Sequence, residues 1–315
     1  LTIGTGVASG GAVTMAAVAG TASGSVSNLT INQTGTFATS GAIATDIGTV
    51  TITQSGGVTF GDALTANTVT LTDTTGTIAF QGNTTVNTGL TTANQDYNVS
   101  FTGATNSIAG DTSFLNTGTV TLGDAAGDTT AFVGGLNTAG AGTNPSSTAL
   151  AGTISTTNAQ VDLGVVTLAA DTIVSTGSGA VNFQGTVDGT QSLTVNTTGT
   201  ATFSAAVGGT NALTGFVTNA SGTTSLGASL TSTGAIDIND ALNVTASATI
   251  DNRTATFDVA GSTTLSDGVT LTIGTGVASG GAVTMAAIAG TASGSVSNLT
   301  INQTGTFATS GTVGT

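Results

Sequence analysis

Short apolar-polar-apolar triplets recur about once every 20 residues, and this recurrence constrains the fold more than any other feature of the chain. Two interleaved series show it most clearly: Leu29-Thr30-Ile31, Val50-Thr51-Ile52 and Val69-Thr70-Leu71, then Val58-Thr59-Phe60, Ile78-Ala79-Phe80 and Val99-Ser100-Phe101. Later triplets are Val161-Asp162-Leu163, Val181-Asn182-Phe183, Ala201-Thr202-Phe203, Ile236-Asp237-Ile238, Leu242-Asn243-Val244 and Ala255-Thr256-Phe257. Each triplet predicts a short strand with one buried face. Strands that return at a short interval predict coils stacked on one another.

The residue types present favour strands and turns over helices. The chain contains no Lys and no Glu, so all 15 acidic residues are Asp and the only cation is Arg253. The helix formers of ordinary protein surfaces are therefore missing except for Ala and Gln, whereas Thr, Val, Ile, Gly, Asn and Ser remain. A hydrophobic content of 38% argues against disorder. We predict an all-β, single-stranded β-solenoid (β-helix) with coils of roughly 20 residues.

A much longer repeat lies over the short one. Residues Leu1 to Gly41 return at Leu271 to Gly311 with one difference, Val18 against Ile288, which sets a long period of 270 residues (271 − 1). A chain that begins a second copy of itself indicates a tandem array in which each unit stacks on its neighbours. We therefore predict that residues 1–270 form one long repeat of continuous solenoid and that residues 271–315 begin the next repeat.

Glycine and proline mark expected departures from the strands. Glycine follows several phenylalanines, in Phe60-Gly61, Phe80-Gln81-Gly82, Phe101-Thr102-Gly103, Phe132-Val133-Gly134 and Phe183-Gln184-Gly185. Because glycine tolerates a positive φ, we expect these glycines to turn the chain at the corners through that conformation. The only proline, Pro145, cannot donate to a strand ladder, so we expect a loop projecting between Asn137 and Asn158. This loop is either a contact loop for a partner or, as we favour, a tolerated insertion.

The formal net charge of −14 argues against two classes of partner. Nucleic acids are bound through clustered Lys and Arg, and anionic membranes attract basic patches. We therefore predict no nucleic-acid partner and no direct binding to an anionic membrane. No run of 18 apolar residues is present, so we also predict no transmembrane helix and no signal peptide. The lack of Cys is compatible with an extracellular location.

The chain carries few residues for chemistry. General acid-base and nucleophilic catalysis depend on His, Cys, Lys, Glu or paired carboxylates, of which only Asp is present. We therefore predict that the protein is not an enzyme and has no catalytic residues. Calcium is the only cofactor for which the chain offers candidate ligands, because calcium prefers oxygen donors and the chain contains Asp carboxylates. The candidates are the pairs Asp124 with Asp128 and Asp237 with Asp240. Neither pair matches a known calcium loop, and we favour the interpretation of these residues as turn formers.

In composition and rhythm the chain resembles the strand-repeat regions of giant bacterial tandem-repeat surface proteins. The segment from Val181 to Phe203, Val-Asn-Phe-Gln-Gly-Thr-Val-Asp-Gly-Thr-Gln-Ser-Leu-Thr-Val-Asn-Thr-Thr-Gly-Thr-Ala-Thr-Phe, shows this best. Such regions occur in filamentous-haemagglutinin-like adhesins and autotransporter passenger domains. The resemblance implies a right-handed β-helix, a location outside the cell or on the bacterial surface, and a role as stalk, fibre or adhesin. It implies no catalytic residues.

We therefore expect an extracellular structural segment that forms a rigid fibre, stalk or sheath. Its partners would be identical repeats or chains stacked end to end, because a repeat unit does not cover its own ends. The main alternative is a repetitive adhesin with cell-surface contacts, which a cluster of exposed aromatic or charged residues would favour. Tyr97 is the only Tyr and belongs to no such cluster. Functional amyloid and immunoglobulin-like domains are further alternatives, and the 20-residue interval disfavours the latter.

Overall fold

The structure is a computed structural model that describes residues 1–21, 25–44, 46–291 and 294–314. These residues form strands, turns and bends with no helix among them. The strands stack in parallel as a β-solenoid of about 14 turns, roughly 21 residues apart. The predicted all-β solenoid with short coils is thus confirmed. Within the described ranges, no helix is long and apolar enough to cross a membrane.

The chain divides into two compact units, Leu1–Thr157 and Asn158–Thr315. Strands of the first unit, within the described ranges, are β1 (Thr2–Gly6), β2 (Val13–Met15), β3 (Val18–Ala19), β4 (Ser27–Gln33), β5 (Thr36–Thr39), β6 (Ile43–Ala44), β7 (Ile47–Gln54), β8 (Gly57–Phe60), β9 (Leu64–Leu71), β10 (Thr77–Phe80), β11 (Thr84–Thr92), β12 (Asn98–Phe101), β13 (Thr105–Ile108), β14 (Thr112–Ser113), β15 (Thr119–Leu122), β16 (Thr129–Phe132), β17 (Leu136–Asn137) and β18 (Ser147–Ser155).

The described part of the second unit contains strands of similar length. They are β19 (Val161–Leu163), β20 (Val166–Gly177), β21 (Val181–Phe183), β22 (Val187–Asp188), β23 (Ser192–Thr197), β24 (Thr200–Phe203), β25 (Gly215–Thr218), β26 (Thr223–Leu226), β27 (Leu230–Thr231), β28 (Ile236–Ile238), β29 (Ala241–Val244), β30 (Ala248–Asp251), β31 (Phe257–Val259), β32 (Thr263–Leu265), β33 (Thr270–Gly276), β34 (Val283–Met285), β35 (Ile288–Gly290), β36 (Asn298–Gln303), β37 (Phe307–Thr309) and β38 (Val313–Gly314).

Each coil of the first unit has three sides, and like sides pair in parallel from coil to coil. The first ladder runs β1-β4-β7-β9-β11. The second runs β2-β5-β8-β10-β12-β15-β18, and the third runs β3-β6-β9-β11-β13-β16-β18. The long strands β9, β11 and β18 serve two ladders each because they continue around a corner.

The second unit is built in the same way. One ladder runs β19-β21-β24-β26-β29-β32-β35-β38, and another runs β20-β23-β25-β28-β31-β34-β37. The remaining side of the later coils is the ladder β27-β30-β33-β36. Parallel strands separated by one coil therefore replace the hairpins of an ordinary all-β domain.

The core consists of like side chains stacked from coil to coil, at the register that the triplets predict. Ile78 pairs with Val58 below and Val99 above, and Phe80 pairs with Phe60 and Phe101 in the same way. The rings of Phe80 and Phe101 stack with centroids 4.5 Å apart and an angle of 3° between their planes. This separation approaches the distance between adjacent strands, so each ring covers the next without leaving a gap.

One predicted triplet is displaced by two residues. The structure places the strand at Phe257–Val259, with Phe257 opposite Ile236 in the neighbouring coil, and not at Ala255 to Phe257. Ala255 instead closes a turn, in which its N–H donates to the carbonyl oxygen of Asn252 at 2.9 Å. A shift of two residues preserves which side chains face inward, so the triplet pattern alone does not distinguish the two positions.

The predicted glycine corners are at the expected positions, but the predicted reason is wrong. None of the glycines at 61, 82, 103, 134 and 185 has a positive φ. A Cβ at Gly103 would lie 2.3 Å from the carbonyl oxygen of Gly82 in the coil below, and the other four positions are similarly crowded by backbone. Glycine is therefore required at these corners because two backbones approach closely, not because of an unusual backbone conformation.

The predicted loop around Pro145 is real but shorter than expected. It covers residues 138–146, because residues 147–155 form β18 and bury Leu150 and Ile154 in two ladders. Pro145 itself is buried at the base of the loop. The next residue, Ser146, returns the chain to the coil by donating its N–H to the carbonyl oxygen of Gly118 at 2.8 Å. The insertion therefore rejoins the ladder at once.

The two copies of the long repeat pair their strands identically. Thr2 pairs with Thr30 in the first copy, and Thr272 pairs with Thr300 in the second. The same offset relates the pairs β2–β5 and β34–β37, and the pairs β3–β6 and β35–β38. Local sequence thus determines the coil geometry in both units. The division of the chain into residues 1–270 and 271–315 stays a prediction.

Candidate functional site

The calcium candidates Asp124 and Asp128 lie together in one turn. One carboxylate oxygen of Asp128, Oδ2, accepts the backbone N–H groups of Asp124 and Ala125, both at 2.9 Å. Burial alone would raise the pKa of Asp128, but these two hydrogen bonds outweigh it and hold the pKa below its ordinary value. The pKa of Asp124 is raised by desolvation and by the neighbouring Asp128 carboxylate. Because its carboxylate accepts two backbone N–H groups of the same turn, Asp128 acts as a turn former.

The other pair, Asp237 and Asp240, is not brought together. Asp237 lies between the buried residues Ile236 and Ile238 of β28, so its side chain faces outward, opposite Asp258 of the next coil. Asp240 is only 4% exposed and accepts hydrogen bonds from two buried threonines, Thr218 at 3.1 Å and Thr224 at 2.8 Å. The two carboxylates therefore lie on opposite sides of the coil wall.

Within the described ranges, no three His, Cys, Asp or Glu side chains lie close enough together to hold a metal ion. Calcium prefers six to eight oxygen ligands, and the turn at Asp124 and Asp128 contributes two carboxylates, one of them already hydrogen-bonded to backbone. The residues present fit a turn better than a calcium site. The expectation of no cofactor, with calcium as the alternative, stays a prediction, and calorimetric titration of the protein with Ca²⁺ tests it.

Asp240 is a buried carboxyl group that the sequence did not distinguish from the surface aspartates. Burial raises its pKa above the ordinary 3.8, and the hydrogen bonds from Thr224 and Thr218 oppose this only in part. Its second oxygen, Oδ2, is buried with no hydrogen-bond partner. Burial in this position shifts the equilibrium of the Asp240 carboxyl group towards its protonated form, since the ionised form loses its hydration.

This burial predicts a pH dependence of stability. A pKa that is raised in the folded state contributes stability below the unfolded value of 3.8, and this contribution is lost as the pH rises through the folded value. We expect Asp240→Asn to remove that loss, so that the variant gains stability relative to the natural protein as the pH rises from about 4 to about 7. Hydrogen exchange of peptides containing β25 and β26, followed as a function of pH, measures this difference in stability.

Asp251 provides a control of opposite sign. Its carboxylate accepts hydrogen bonds from Ser279 at 2.8 Å and Thr275 at 3.0 Å, and it pairs with Arg253 at 3.3 Å. Burial would raise its pKa, but these partners lower it below the ordinary value. Asp251→Asn should therefore lose stability relative to the natural protein as the pH rises up to the unfolded value of 3.8, and the difference should change little between about pH 4 and about pH 7. Equal pH profiles for the two variants would contradict the assignment.

Tyr97 is not an exposed contact residue. It is 2% exposed, its hydroxyl donates to the carbonyl oxygen of Leu71 at 3.2 Å, and the N–H of Ala93 donates to that hydroxyl at 3.0 Å. The side chain fastens the bend after β11 onto the coil below. It therefore gives no support to an adhesive surface.

Burial of this phenol has a directly measurable consequence. Desolvation raises the pKa of Tyr97 from 10.0 to about 12. Because Tyr97 is the only tyrosine and the chain has no Trp, an ultraviolet absorbance titration follows this group alone. We expect ionisation near pH 12 in the folded protein and near 10 in urea. A midpoint near 10 while circular dichroism still shows the fold would contradict the burial.

Burial in this fold depends on the neighbouring coil, as the first and last described coils show. The C-terminal coil comprises β36, β37 and β38, and the N-terminal coil comprises β1, β2 and β3. Ile301 is 41% exposed, whereas Ile31, its equivalent in the earlier copy, is fully buried under β7. Leu1 is 59% exposed, whereas its equivalent Leu271 is buried against β30. The same residues are thus core in one copy and surface in the other.

An open cavity marks the surface of the C-terminal coil. It has a volume of about 180 Å³, and the apolar side chains of Leu265, Ile288, Leu299 and Val313 contribute to its lining. The equivalents of the last two in the earlier copy, Leu29 and Ile43, are fully buried. The cavity is therefore space that the next coil fills in the earlier copy.

The geometry defines the class of protein as a β-solenoid built from internally repeated coils. No protein-family model, curated protein or solved structure matches the chain.

Proposed function

We propose that this chain is an extracellular structural repeat segment that forms a rigid fibre, stalk or sheath by coil stacking. One observation carries the proposal: the same 41-residue sequence folds with the same pairing register in both copies, each time as two adjacent coils of a stack. A unit of this kind propagates because every coil presents the next coil with the edge that it received itself.

The mechanical basis is the coil-to-coil hydrogen bonding. Backbone N–H groups donate to carbonyl oxygens of the adjacent coil throughout both units, for example from Gln81 to Phe60 at 2.9 Å and from Thr245 to Leu226 at 2.9 Å. The core is stacked in the same way: the rings of Phe183 and Phe203, on adjacent coils, have centroids 4.8 Å apart. Separating two coils requires many of these contacts to break together, which suits a load-bearing role.

An adhesin stalk is the alternative within the same fold. It requires a contact surface, and within the described ranges neither the buried Tyr97 nor the outward Asp237 provides a cluster of exposed aromatic or charged groups. The extracellular location is supported by the resemblance to bacterial surface proteins and is compatible with the lack of Cys.

Electron microscopy of the native material tests the structural role. We expect thin continuous fibres whose diffraction shows the strand repeat of about 4.8 Å along the fibre axis. Labelling intact cells with an antibody raised against the chain tests the location. Separate particles with a distinct tip domain would favour the adhesin, and a strand repeat perpendicular to the fibre axis would contradict the proposed stacking.

A further inference from the structure

We propose that the Arg253–Thr254 peptide bond is a cryptic cleavage site for a trypsin-like protease. The coil that follows this turn closes the site, and local separation of that coil opens it. The inference goes beyond the proposed structural role and does not depend on it, because it concerns a modification of the chain at one bond inside the second unit.

Arg253 is the only residue of the chain that a trypsin-like protease recognises. Such a protease selects Lys or Arg at the residue before the cleaved bond, and the chain contains no Lys and a single Arg. Hydrolysis breaks the C–N bond between Arg253 and Thr254 and adds one water molecule across it. Arg253 gains a carboxylate and Thr254 gains an ammonium group. A cut at one defined bond is therefore the whole outcome of this chemistry.

The site lies in an exposed turn between two strands. Residues 252–256 connect β30 with β31, and Arg253, Thr254 and Thr256 are exposed. The side chain of Arg253 is 45% exposed, although its Nε lies 3.3 Å from Oδ2 of Asp251. Exposed turns of small and polar residues are the preferred positions of proteolytic nicking. The arginine side chain is thus accessible from solvent.

The backbone of the same residue is closed to a protease. Arg253 has a φ of 49°, in the left-handed region, whereas recognition of a peptide by strand addition requires an extended backbone. Its carbonyl oxygen, which an oxyanion hole must bind, already accepts the N–H groups of Gly280 at 2.7 Å and Gly281 at 3.3 Å. Both donors lie between β33 and β34, in the following coil. That coil therefore occupies the atom that the protease needs.

The turn is also fastened within itself. The N–H of Arg253 donates to Oδ1 of Asp251 at 3.0 Å, and the N–H of Ala255 donates to the carbonyl oxygen of Asn252 at 2.9 Å. A protease needs residues on both sides of the bond in extended form, so the turn must first separate from the coil that covers it. When opening is fast relative to cleavage, the rate of cleavage follows the population of this locally opened state.

The residue type at this position favours a use of the side chain beyond the turn itself. A positive φ is typical of Gly and is enriched in Asn, as at Asn158, so Arg253 adopts it with more strain than either. Neutralising Asp251 does not require an arginine, because Ser279 donates to Oδ1 at 2.8 Å and Thr275 donates to Oδ2 at 3.0 Å. Recognition from solvent is a use that only a basic side chain serves.

Digestion of the folded protein with trypsin tests the proposal. The reference is an unstructured peptide with the sequence of residues 249–258. We expect the folded protein to be cut at least about a hundredfold more slowly than the peptide, since only the opened state is cleaved. Mass spectrometry should find one fragment that ends at Arg253 and one that begins at Thr254. Arg253→Gln should abolish the cut.

Gly281→Ala tests whether the following coil closes the site. A Cβ at Gly281 would clash with the carbonyl oxygen of Ala255, so the methyl group pushes the covering corner away from the turn. We expect cleavage at least about tenfold faster than in the natural protein. Gly127→Ala is the matched control, because a Cβ there meets nothing within 4 Å, and it should leave the rate unchanged. Circular dichroism confirms that each variant is folded.

An arginine moved to the projecting loop provides a second control. The double variant Arg253→Gln, Ala141→Arg places the only arginine in the loop of residues 138–146, where Ala141 is exposed. It should be cut at least about tenfold faster than the natural protein, because no coil has to separate first. This comparison leaves the covering coil unchanged, so it holds even if Gly281→Ala does not fold.

Equal rates for the natural protein and the double variant would overturn the inference. So would cleavage of a folded Gly281→Ala protein that is no faster than cleavage of Gly127→Ala. Either result would leave the structural role standing, because electron microscopy of the native material tests that role separately.

Discussion

Phe37→Ala should lower the free energy of unfolding of the first unit by about 3–5 kcal/mol, whereas the same change at Phe307 should cost about 1 kcal/mol or less. The two residues have identical neighbours in the sequence. Phe37 is 1% exposed, packed edge-to-face on Phe60 at 6.3 Å, because the following coil covers it. Phe307 lies on the last described coil and is only half-buried. Removing its ring leaves no enclosed cavity.

Urea denaturation measures the effect at Phe37, with the fluorescence of Tyr97 as reporter because Tyr97 belongs to the same unit. Hydrogen exchange of the peptides around each site measures both variants on one scale. The Phe307→Ala protein is the internal control, since its local sequence and hydrogen-bond register are the same. Equal losses at the two sites would show that both rings are equally covered in solution.

Gly35→Ala should lower the free energy of unfolding of the first unit by about 1–3 kcal/mol, although it adds a single methyl group. A Cβ at this corner would lie 2.0 Å from the carbonyl oxygen of Gly11 and 2.8 Å from that of Gly10 in the coil below. These are backbone atoms, so the clash is relieved only by moving the coils apart. The hydrogen bond from the N–H of Gly56 to the carbonyl oxygen of Gly35, at 2.9 Å, shows that the next coil is tied to the same corner.

Gly127→Ala is the matched control, because a Cβ there would meet nothing within 4 Å and Gly127 has no positive φ. We expect it to change stability by less than about 0.5 kcal/mol. Gly305, the equivalent of Gly35 in the later copy, has the same clash at 2.1 Å but lies on the last described coil, which can shift outward. Its replacement should therefore cost less than that of Gly35. A neutral Gly35→Ala would mean that the coils are less closely stacked than described.

The two predictions examine the two contacts on which a stacked fibre depends. Phe37 tests whether the core is continuous from one coil to the next, and Gly35 tests whether the backbones approach closely at the corner. Gly35 and Phe37 both lie in the 41 residues that recur in the long repeat. The same changes introduced into every copy of an array would therefore add their losses of stability along it. In the proposed fibre, these variants should break or unfold at lower load than the unchanged sequence.

Much of the fold could be predicted because its determinants are local and repeated. Val58, Ile78 and Val99 lie opposite one another because the same apolar-polar-apolar triplet recurs once in each coil. The displaced strand at Phe257 shows the limit, since a shift of two residues leaves the inward faces unchanged. The glycine corners were located correctly, but the contact between Gly103 and Gly82 depends on the distance between coils, which sequence spacing does not report.

The candidate sites were less predictable, because the environment of a side chain depends on which coil lies above it. Asp237 and Asp240 read alike in the sequence, yet one faces solvent and the other lies buried against Thr218 and Thr224. The Asp240 side chain follows a corner, where the alternation of inward and outward positions no longer applies. Tyr97 likewise follows a bend, and its burial depends on the carbonyl group of Leu71 in the coil below.

The sequence by itself determined that short strands stack in this chain and which triplets lie opposite one another. It also determined that the two copies of 41 residues fold alike. These properties arise from the alternation of inward and outward side chains within each coil. Only the tertiary structure decided which copies of those residues are core and which are surface. Ile31 and Ile301 have the same neighbours in sequence, and what separates them is whether another coil lies on top. Burial here is a property of the stack, and no single coil contains it.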